Sequence, residues 1–123
     1  MNVSKSEIVV LEVLWKEHPL TVGQIIERAN ETHDWHENTV KTLLSRMLKK
    51  KAVERYKDGK RFFYQPLIMR DDIITAEADG FLKQFFEGRM APLVAHFAQS
   101  KKLSKQEVKE IQAILNQLEE KND

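Results

Sequence analysis

The chain has 123 residues, 41% of them hydrophobic and 32% charged, a balance typical of a globular protein. It contains no cysteine, which excludes disulfides, thiolate metal sites and iron–sulfur clusters, and no apolar run of the roughly 20 residues that a membrane span needs. The net charge is +1, but residues 41–61 hold nine Lys or Arg against two Asp or Glu, a pattern that favours a polyanionic partner. With no stretch of signal-peptide type, we expect a cytoplasmic protein without membrane insertion.

Two amphipathic segments open the chain. Ser4 or Ser6 is the predicted N-cap, and Ser4 with Glu7 three residues later has the form of a capping box. The apolar residues that follow recur at helical spacing. This predicts a buried first helix that ends before Pro19. Thr21 and Gln24 repeat the capping-box form and predict a second, shorter helix.

A third helix is predicted to begin between Asp34 and Glu37 and to run to about Lys50. Its apolar residues form a complete core-facing stripe, at Val40, Leu43, Leu44, Met47 and Leu48. The opposite face is polar and basic. Trp35, and Trp15 in the first helix, are predicted to pack in the core between the first and third helices.

The hydrophobic period changes from helical to alternating after the third helix. Val53–Lys57 and Arg61–Gln65 alternate and are rich in aromatic or β-branched residues. Asp58 and Gly59 between them predict a tight turn, and Pro66 ends the second strand. Three helices followed by a basic hairpin is the order of a winged helix-turn-helix domain, in which the hairpin is called the wing.

The remaining chain is predicted to be helical. One helix is expected to be capped by Asp71 or Asp72 and to end near Gly88. A short apolar segment, Met90–Ala98, follows. The last helix is expected to be capped by Ser104.

We therefore expect a mainly α fold with a small β-hairpin wing: a winged helix-turn-helix domain in residues 1–67 and a helical dimerisation domain in residues 68–123. The second domain has more large apolar side chains than a tail of this size can bury alone, and a two-fold interface with another copy would cover them. The residues predicted for this interface are Ile74, Phe81, Phe85, Phe86, Leu93, Phe97, Ile111, Ile114, Leu115 and Leu118. Alternatively, Phe81, Phe85 and Phe86 line a pocket for a small molecule.

The polar face of the third helix has the chemistry needed to read the major groove of DNA. Asn pairs with adenine, the Thr methyl meets a thymine methyl, and Lys or Arg reaches guanine or a phosphate. Basic side chains of the wing are expected to contact the DNA backbone or the minor groove. The predicted DNA-binding residues are Asn38, Thr39, Lys41, Thr42, Arg46, Lys49, Lys57, Lys60 and Arg61. Two alternatives are a solvated charged face and a winged-helix module that binds protein instead, which would expose apolar or acidic residues.

Motifs of enzymatic chemistry are missing from the sequence. It has no Gly-x-Ser-x-Gly, no His-Glu-x-x-His and no phosphate-binding loop. Two of its four histidines, His33 and His36, are spaced to supply two metal ligands at most, and His18 and His96 do not cluster with them. We predict no enzymatic activity, no cofactor and no metal site.

The third helix and the wing also carry a family signature. Residues 35–50 read Trp-x-x-Asn-Thr-Val-Lys-Thr-Leu-Leu-Ser-Arg-Met-x-Lys-Lys and are followed by Val53 and the strand Phe62–Tyr64. With Leu14–Trp15 and the ending Leu103-Ser104-x-x-Glu107, this sequence resembles the BlaI/MecI penicillinase-repressor family. The resemblance covers nearly the whole chain, and the run around Thr39-Val40 is its most specific part.

The resemblance implies a homodimeric repressor of inverted-repeat operators in double-stranded DNA. Five residues match recognition-helix positions of the family: Asn38, Thr39, Lys41, Thr42 and Arg46. The C-terminal helices would intertwine in the dimer. The resemblance further implies derepression of the β-lactam-resistance type, in which a membrane sensor metalloprotease leads to cleavage in the C-terminal domain. The segment 93–97 aligns with the family's cleavage region, which places the bond between His96 and Phe97.

Three features depart from the family pattern. His96 stands where staphylococcal members have Asn before the Phe. His36 stands at the N-cap of the third helix, where those members have Ser, and Asp34 with Glu37 is the alternative cap. The copper-responsive branch binds metal through C-terminal cysteines, which this chain lacks, so that mechanism is excluded. Release of DNA by a small molecule is the second hypothesis for regulation.

Overall fold

The structure, a computed structural model, describes residues 2–122. These residues form helices and one two-stranded antiparallel sheet, in the order α1 (Lys5–Lys16), α2 (Val22–Ala29), α3 (Glu37–Lys49), β1 (Val53–Asp58), β2 (Arg61–Pro66), α4 (Arg70–Phe86), α5 (Met90–Gln99) and α6 (Lys105–Asn122). The predicted fold class, mainly α with a β-hairpin wing, is confirmed.

The chain divides into two compact units, the first ending at Thr75 and the second beginning at Ala76. The division falls inside α4. The first unit therefore holds α1, α2, α3, the wing and the start of α4. The domain boundary predicted after residue 67 stays a prediction.

The core of the first unit lies between its three N-terminal helices and the wing. Its most deeply buried large side chains are Val10, Leu11, Leu14, Leu20, Ile25, Val40, Leu44, Met47 and Val53. Trp15 and Trp35 pack against this core while only partly buried, and the Trp15 indole N–H donates to the Ile68 carbonyl at 2.8 Å. Truncating a fully buried Leu or Met here to Ala would lower the free energy of unfolding by about 2–5 kcal/mol.

Capping boxes begin the first two helices, as predicted. Ser4 Oγ accepts from the Glu7 amide at 3.1 Å, and Glu7 Oε1 accepts from the Ser4 amide at 2.8 Å. Thr21 and Gln24 exchange the same pair of bonds at 3.3 and 2.9 Å. These bonds satisfy amides that the helix itself leaves without partners.

The start of α3 is held differently. Its N-cap is His36, whose side chain makes no capping bond. The Asn30 side chain instead brackets the preceding loop, donating to the Trp35 carbonyl at 3.0 Å and accepting from the Trp35 amide at 2.9 Å. This clamp fixes the segment from which α3 begins.

The turn of the wing lies one residue later than predicted. Asp58 pairs with Arg61 at the end of the ladder, so the two-residue loop is Gly59 and Lys60 rather than Asp58 and Gly59. Gly59 has φ +66°, a conformation that glycine adopts without strain, and hairpins favour it at the first loop position. The glycine therefore fixed the position of the turn.

A third segment ties the wing to the core. Leu20, just before α2, exchanges two backbone hydrogen bonds with Tyr64 of β2, at 3.1 and 2.8 Å. Leu20 is 2% exposed and Tyr64 is 4% exposed. Backbone hydrogen bonds and buried side chains thus both attach the base of the wing to the core.

The helix α4 begins earlier than expected. It starts at Arg70, so Asp71 and Asp72 lie in its first turn and the prediction that one of them is the cap was wrong. Carboxylates there still favour the helix, because its N-terminus carries partial positive charge. The end agrees with the prediction: α4 stops at Phe86, and Gly88 has φ +77° with its amide bonded to the Leu82 carbonyl at 2.9 Å.

The second unit buries little of its own apolar surface. Within residues 76–122, Leu82, at 8% exposed, is the one buried hydrophobic side chain. Ser104 caps α6 as predicted, accepting from the Glu107 amide at 3.1 Å. Across residues 2–122, every helix is too short or too polar to cross a membrane.

Candidate DNA-binding surface

Two opposite faces of α3 carry different kinds of side chain. Val40, Leu43, Leu44 and Met47 are at most 6% exposed and hold the helix against the core. The six predicted DNA-binding residues of α3 all lie exposed, and we call them the recognition face: Asn38, Thr39, Lys41, Thr42, Arg46 and Lys49. The polar face of α3 is therefore accessible along its whole length.

The wing places further cations near α3. Lys57, Lys60 and Arg61 are all exposed, as predicted for residues that contact a ligand. Lys60 lies in the two-residue loop and Arg61 directly follows it. The tip of the hairpin is thus positively charged.

An open groove of about 800 Å³ runs between the N-terminal end of α2, α3 and the wing. It is lined by three of the predicted residues together: Lys41 from α3, and Lys60 and Arg61 from the wing. The other members of the recognition face, and Lys57, lie outside this lining. The lining also holds the carboxylates Glu27 and Glu37, so the groove keeps a small net positive charge, which favours anions such as phosphates.

Lys41 is partly neutralised within its own helix. Its Nζ lies 2.9 Å from Glu37 Oε1, one turn earlier, and both side chains are more than half exposed. Exposed pairs of this kind contribute little to stability. Lys41 is therefore able to exchange Glu37 for a phosphate.

Lys50, part of the basic segment, is used inside the protein. Its Nζ donates to Glu7 Oε1 at 2.8 Å and to the Asn2 carbonyl at 2.9 Å. Glu7 is only 2% exposed. Burial raises the pKa of Glu7, but the bonds from Lys50 and Ser4 outweigh it and hold that pKa below its ordinary value. The charge of Lys50 thus stabilises a buried carboxylate at the C-terminal end of α3.

Arg55 was missing from the predicted DNA-binding residues. It lies on a second, smaller concavity of about 320 Å³, the wing groove, lined by Val22, Lys41, Ser45, Leu48, Arg55 and Tyr64. The sequence did hold a signal: alternation along β1 puts Arg55 on the same face as Val53 and Lys57. Val53 is buried, so that face turns toward the body of the domain.

The residues predicted for a dimer interface remain largely uncovered in the single chain. Phe86, Leu93 and Ile111 are half-buried. The other seven are between 40% and 63% exposed: Ile74, Phe81, Phe85, Phe97, Ile114, Leu115 and Leu118. The predicted cleavage residues, His96 and Phe97, both lie inside α5 and are exposed.

The histidines are exposed and scattered. His18 Nδ1 lies 2.7 Å from the Leu14 carbonyl oxygen, and His33 Nδ1 lies 2.8 Å from the Thr32 hydroxyl. Within residues 2–122, no three His, Asp or Glu side chains are grouped as a metal site requires.

Comparison with known proteins identifies the family. The family model described as penicillinase repressor matches residues 3–117. The chain belongs to the penicillinase repressor family. The penicillinase repressor of Bacillus licheniformis is 32% identical over 116 residues, covering 94% of this chain and 91% of that protein. The methicillin resistance regulatory protein MecI of Staphylococcus aureus strain N315 is 31% identical over 115 residues, 94% of each chain.

A solved structure from the penicillinase repressor family is similar to part of this chain. It is the solution structure of monomeric Bacillus licheniformis BlaI in complex with the blaP half-operator, with 32% identity and a TM-score of 0.52. The match covers 58% of this chain and 88% of the BlaI chain. The winged-helix fold of the family is thus present here.

Proposed function

We propose that this protein is a transcriptional repressor that acts on operator DNA in the cytoplasm. In this proposal α3 enters the major groove, and the wing contacts the backbone or the adjacent minor groove. The observation that carries the proposal is the recognition face, polar and basic along its length, beside the cationic tip of the wing. A protein-binding module would expose apolar or acidic residues there.

The chemistry of the recognition face divides into two roles. Asn38, Thr39 and Thr42 have short side chains near the N-terminal end of α3, suited to base edges in the major groove. Arg46 is long enough to reach a guanine with two hydrogen bonds. Lys41 and Lys49 are assigned to phosphates, which position the helix without reading the sequence.

The second unit supports a dimer on an inverted-repeat operator. Its helices expose a run of large apolar side chains, including Phe85 at 62%, and bury only Leu82 deeply. A helical unit that hides so little apolar surface gains stability by pairing with a second copy. Two-fold pairing would present two copies of α3 to two half-sites about one or two helical turns apart.

Release of the repressor by proteolysis between His96 and Phe97 is part of the proposal, with a membrane sensor metalloprotease as the proposed origin of the signal. The bond lies in a ten-residue helix whose N-cap, Arg89, makes no side-chain capping bond. A short helix without a cap opens locally at low free energy. Opening of α5 would let the backbone at this exposed bond extend into a protease, and cutting it would separate the parts of the dimerisation unit.

The test is direct binding of the full-length chain to labelled DNA from the region upstream of its own gene, with a random-sequence duplex as the competitor. Arg46→Ala should weaken binding to the upstream DNA by about 1–3 kcal/mol and leave random DNA unaffected. Lys16→Ala, which removes an exposed cation of α1 outside both grooves, is the matched control. Equal binding of wild type to both duplexes would contradict the proposal.

A further inference from the structure

The inner face of the wing carries an ordered cluster of cations and aromatic rings. In the β1–β2 register, Arg55 lies opposite Tyr64, and Lys57 lies opposite Phe62. Residues two apart on a strand share a face, so these four side chains lie together. Val53 and Pro66 continue the same face toward the core.

Two contacts hold the guanidinium of Arg55 in place. Its central carbon lies 4.0 Å from the centroid of the Phe62 ring, and Nη1 donates to the Tyr64 hydroxyl at 3.2 Å. Tyr64 is 4% exposed and is bonded to Leu20 through its backbone. The position of Arg55 is thus set by the core of the domain.

The charge of Arg55 is nevertheless uncompensated. Within residues 2–122, no carboxylate lies within 4 Å of it, whereas Lys41 and Lys50 are both paired. Its neighbour Glu54 lies on the other face of the hairpin and bonds to Gln65 instead. An ordered, exposed and unpaired guanidinium in a groove is arranged to receive an anion.

We infer that Arg55 binds a phosphate of the DNA backbone in the wing groove, a contact that rests on the proposed function. The wing groove of the protein lies between α3 and the wing. We have proposed that α3 enters the major groove of DNA and that the wing contacts the DNA backbone or the adjacent minor groove. The strand that separates two grooves of a duplex is its phosphate backbone. With Phe62 covering one face and Tyr64 taking one N–H, Arg55 retains further donors for two bonds to a phosphate. Lys41 and Ser45 of α3 line the same groove.

Phe62 and Tyr64 hold the guanidinium of Arg55 in place before DNA binds. An arginine that is already ordered loses less conformational freedom when it binds. Tyr64 is therefore a positioning residue and Arg55 the contacting one. Variants of Arg55 should therefore change both the affinity for DNA and its salt dependence, whereas a variant of Tyr64 should change the affinity alone.

The experiment measures the affinity of the full-length chain for a labelled upstream duplex and a random duplex across a range of salt concentrations. Arg55→Ala should weaken binding to both duplexes equally, by roughly tenfold, and should lower the slope of log K against log salt by about one. Arg55→Lys should restore the slope but only part of the affinity, because an ammonium cannot bind a phosphate with two parallel bonds. Tyr64→Phe keeps the charge and the ring, so it should weaken binding by roughly fivefold or less with the slope unchanged.

The controls distinguish the possible failures. Lys16→Ala removes one positive charge elsewhere in the same unit and should leave affinity and slope unchanged. If Arg55→Ala matches wild type in affinity and slope, Arg55 only packs the wing and the inference is wrong. A loss confined to the upstream duplex would make it a base contact and would also overturn the inference. A wild-type chain that binds neither duplex would overturn the proposed function, and this inference with it.

Discussion

The ion pair between Glu7 and Lys50 joins the N-terminal end of α1 to the C-terminal end of α3. Glu7 Oε2 is buried and has no hydrogen-bond partner within the described residues, so the carboxylate depends on Lys50 and Ser4 through its other oxygen. A buried carboxylate is tolerated only where such bonds replace its lost hydration. This one ion pair therefore holds the C-terminal end of α3 against α1.

Removing the cation should destabilise the domain. In Lys50→Met, Glu7 stays buried without its charged donor, and the free energy of unfolding should fall by about 1–3 kcal/mol. Chemical denaturation measures this change. Lys49→Met, one residue earlier and exposed, is the control and should change stability by less than about 0.5 kcal/mol. Equal effects of the two substitutions would show that the pair has no special role.

The same pair predicts how stability depends on pH. Because the folded-state pKa of Glu7 lies below its unfolded value, its contribution is present above about pH 4.3, the ordinary glutamate pKa, and is lost as pH falls through the folded-state value. Glu7→Gln should therefore flatten the loss of stability on acidification. Urea denaturation of wild type and Glu7→Gln at several acidic pH values measures the difference. Parallel profiles would mean that the Glu7 pKa is not lowered by folding.

At the scale of elements, the wing depends on one backbone conformation. Gly59 has φ +66°, where an added Cβ is strained even though no neighbouring atom lies within 4 Å. Gly59→Ala should lower the free energy of unfolding by about 1–2 kcal/mol. Gly23→Ala is the matched control: it also meets no atom, but its φ is not positive, and in α2 it should stabilise the protein by up to about 1 kcal/mol. Thermal melts in which both variants shift the same way would contradict this account of the turn.

Elements with strong local signals were predictable from sequence. The stripe of α3, the capping boxes at Ser4 and Thr21, and the alternation around Gly59 are each determined by neighbouring residues. The features that were missed depend on contacts between distant residues. Burial of Glu7 requires Lys50, which lies 43 residues away, and the placement of Arg55 requires the Tyr64 hydroxyl across the hairpin. Strand register and side-chain pairing of this kind cannot be read from a periodic pattern alone.

At the scale of the whole molecule, the apolar surface of α4, α5 and α6 leads to the proposed dimer. Phe85→Glu places a charge where a 62% exposed ring is proposed to be covered by the second copy. Burying an unpaired charge at an interface weakens association by at least about 2 kcal/mol, so the variant should sediment as a monomer at concentrations where wild type is a dimer. Lys83→Glu, an exposed polar position on the same helix, is the control for surface charge. Identical sedimentation of Phe85→Glu and wild type would remove Phe85 from the interface.

The proposed dimer also determines how the protein should lie on DNA. Two copies of α3 related by a two-fold axis require two half-sites of opposite orientation. Each half-site should be bound through the same face of α3. A change in one half-site should therefore weaken binding of the whole dimer.

Dimeric, sequence-specific binding is best examined by a footprint of the full-length protein on the DNA upstream of its own gene, at near-physiological salt. We expect a protected inverted repeat with half-sites about one or two helical turns apart, and loss of this protection when one half-site is scrambled. Weak protection spread along the whole fragment, unchanged by the scrambled half-site, would contradict a dimeric, sequence-specific repressor acting at this site.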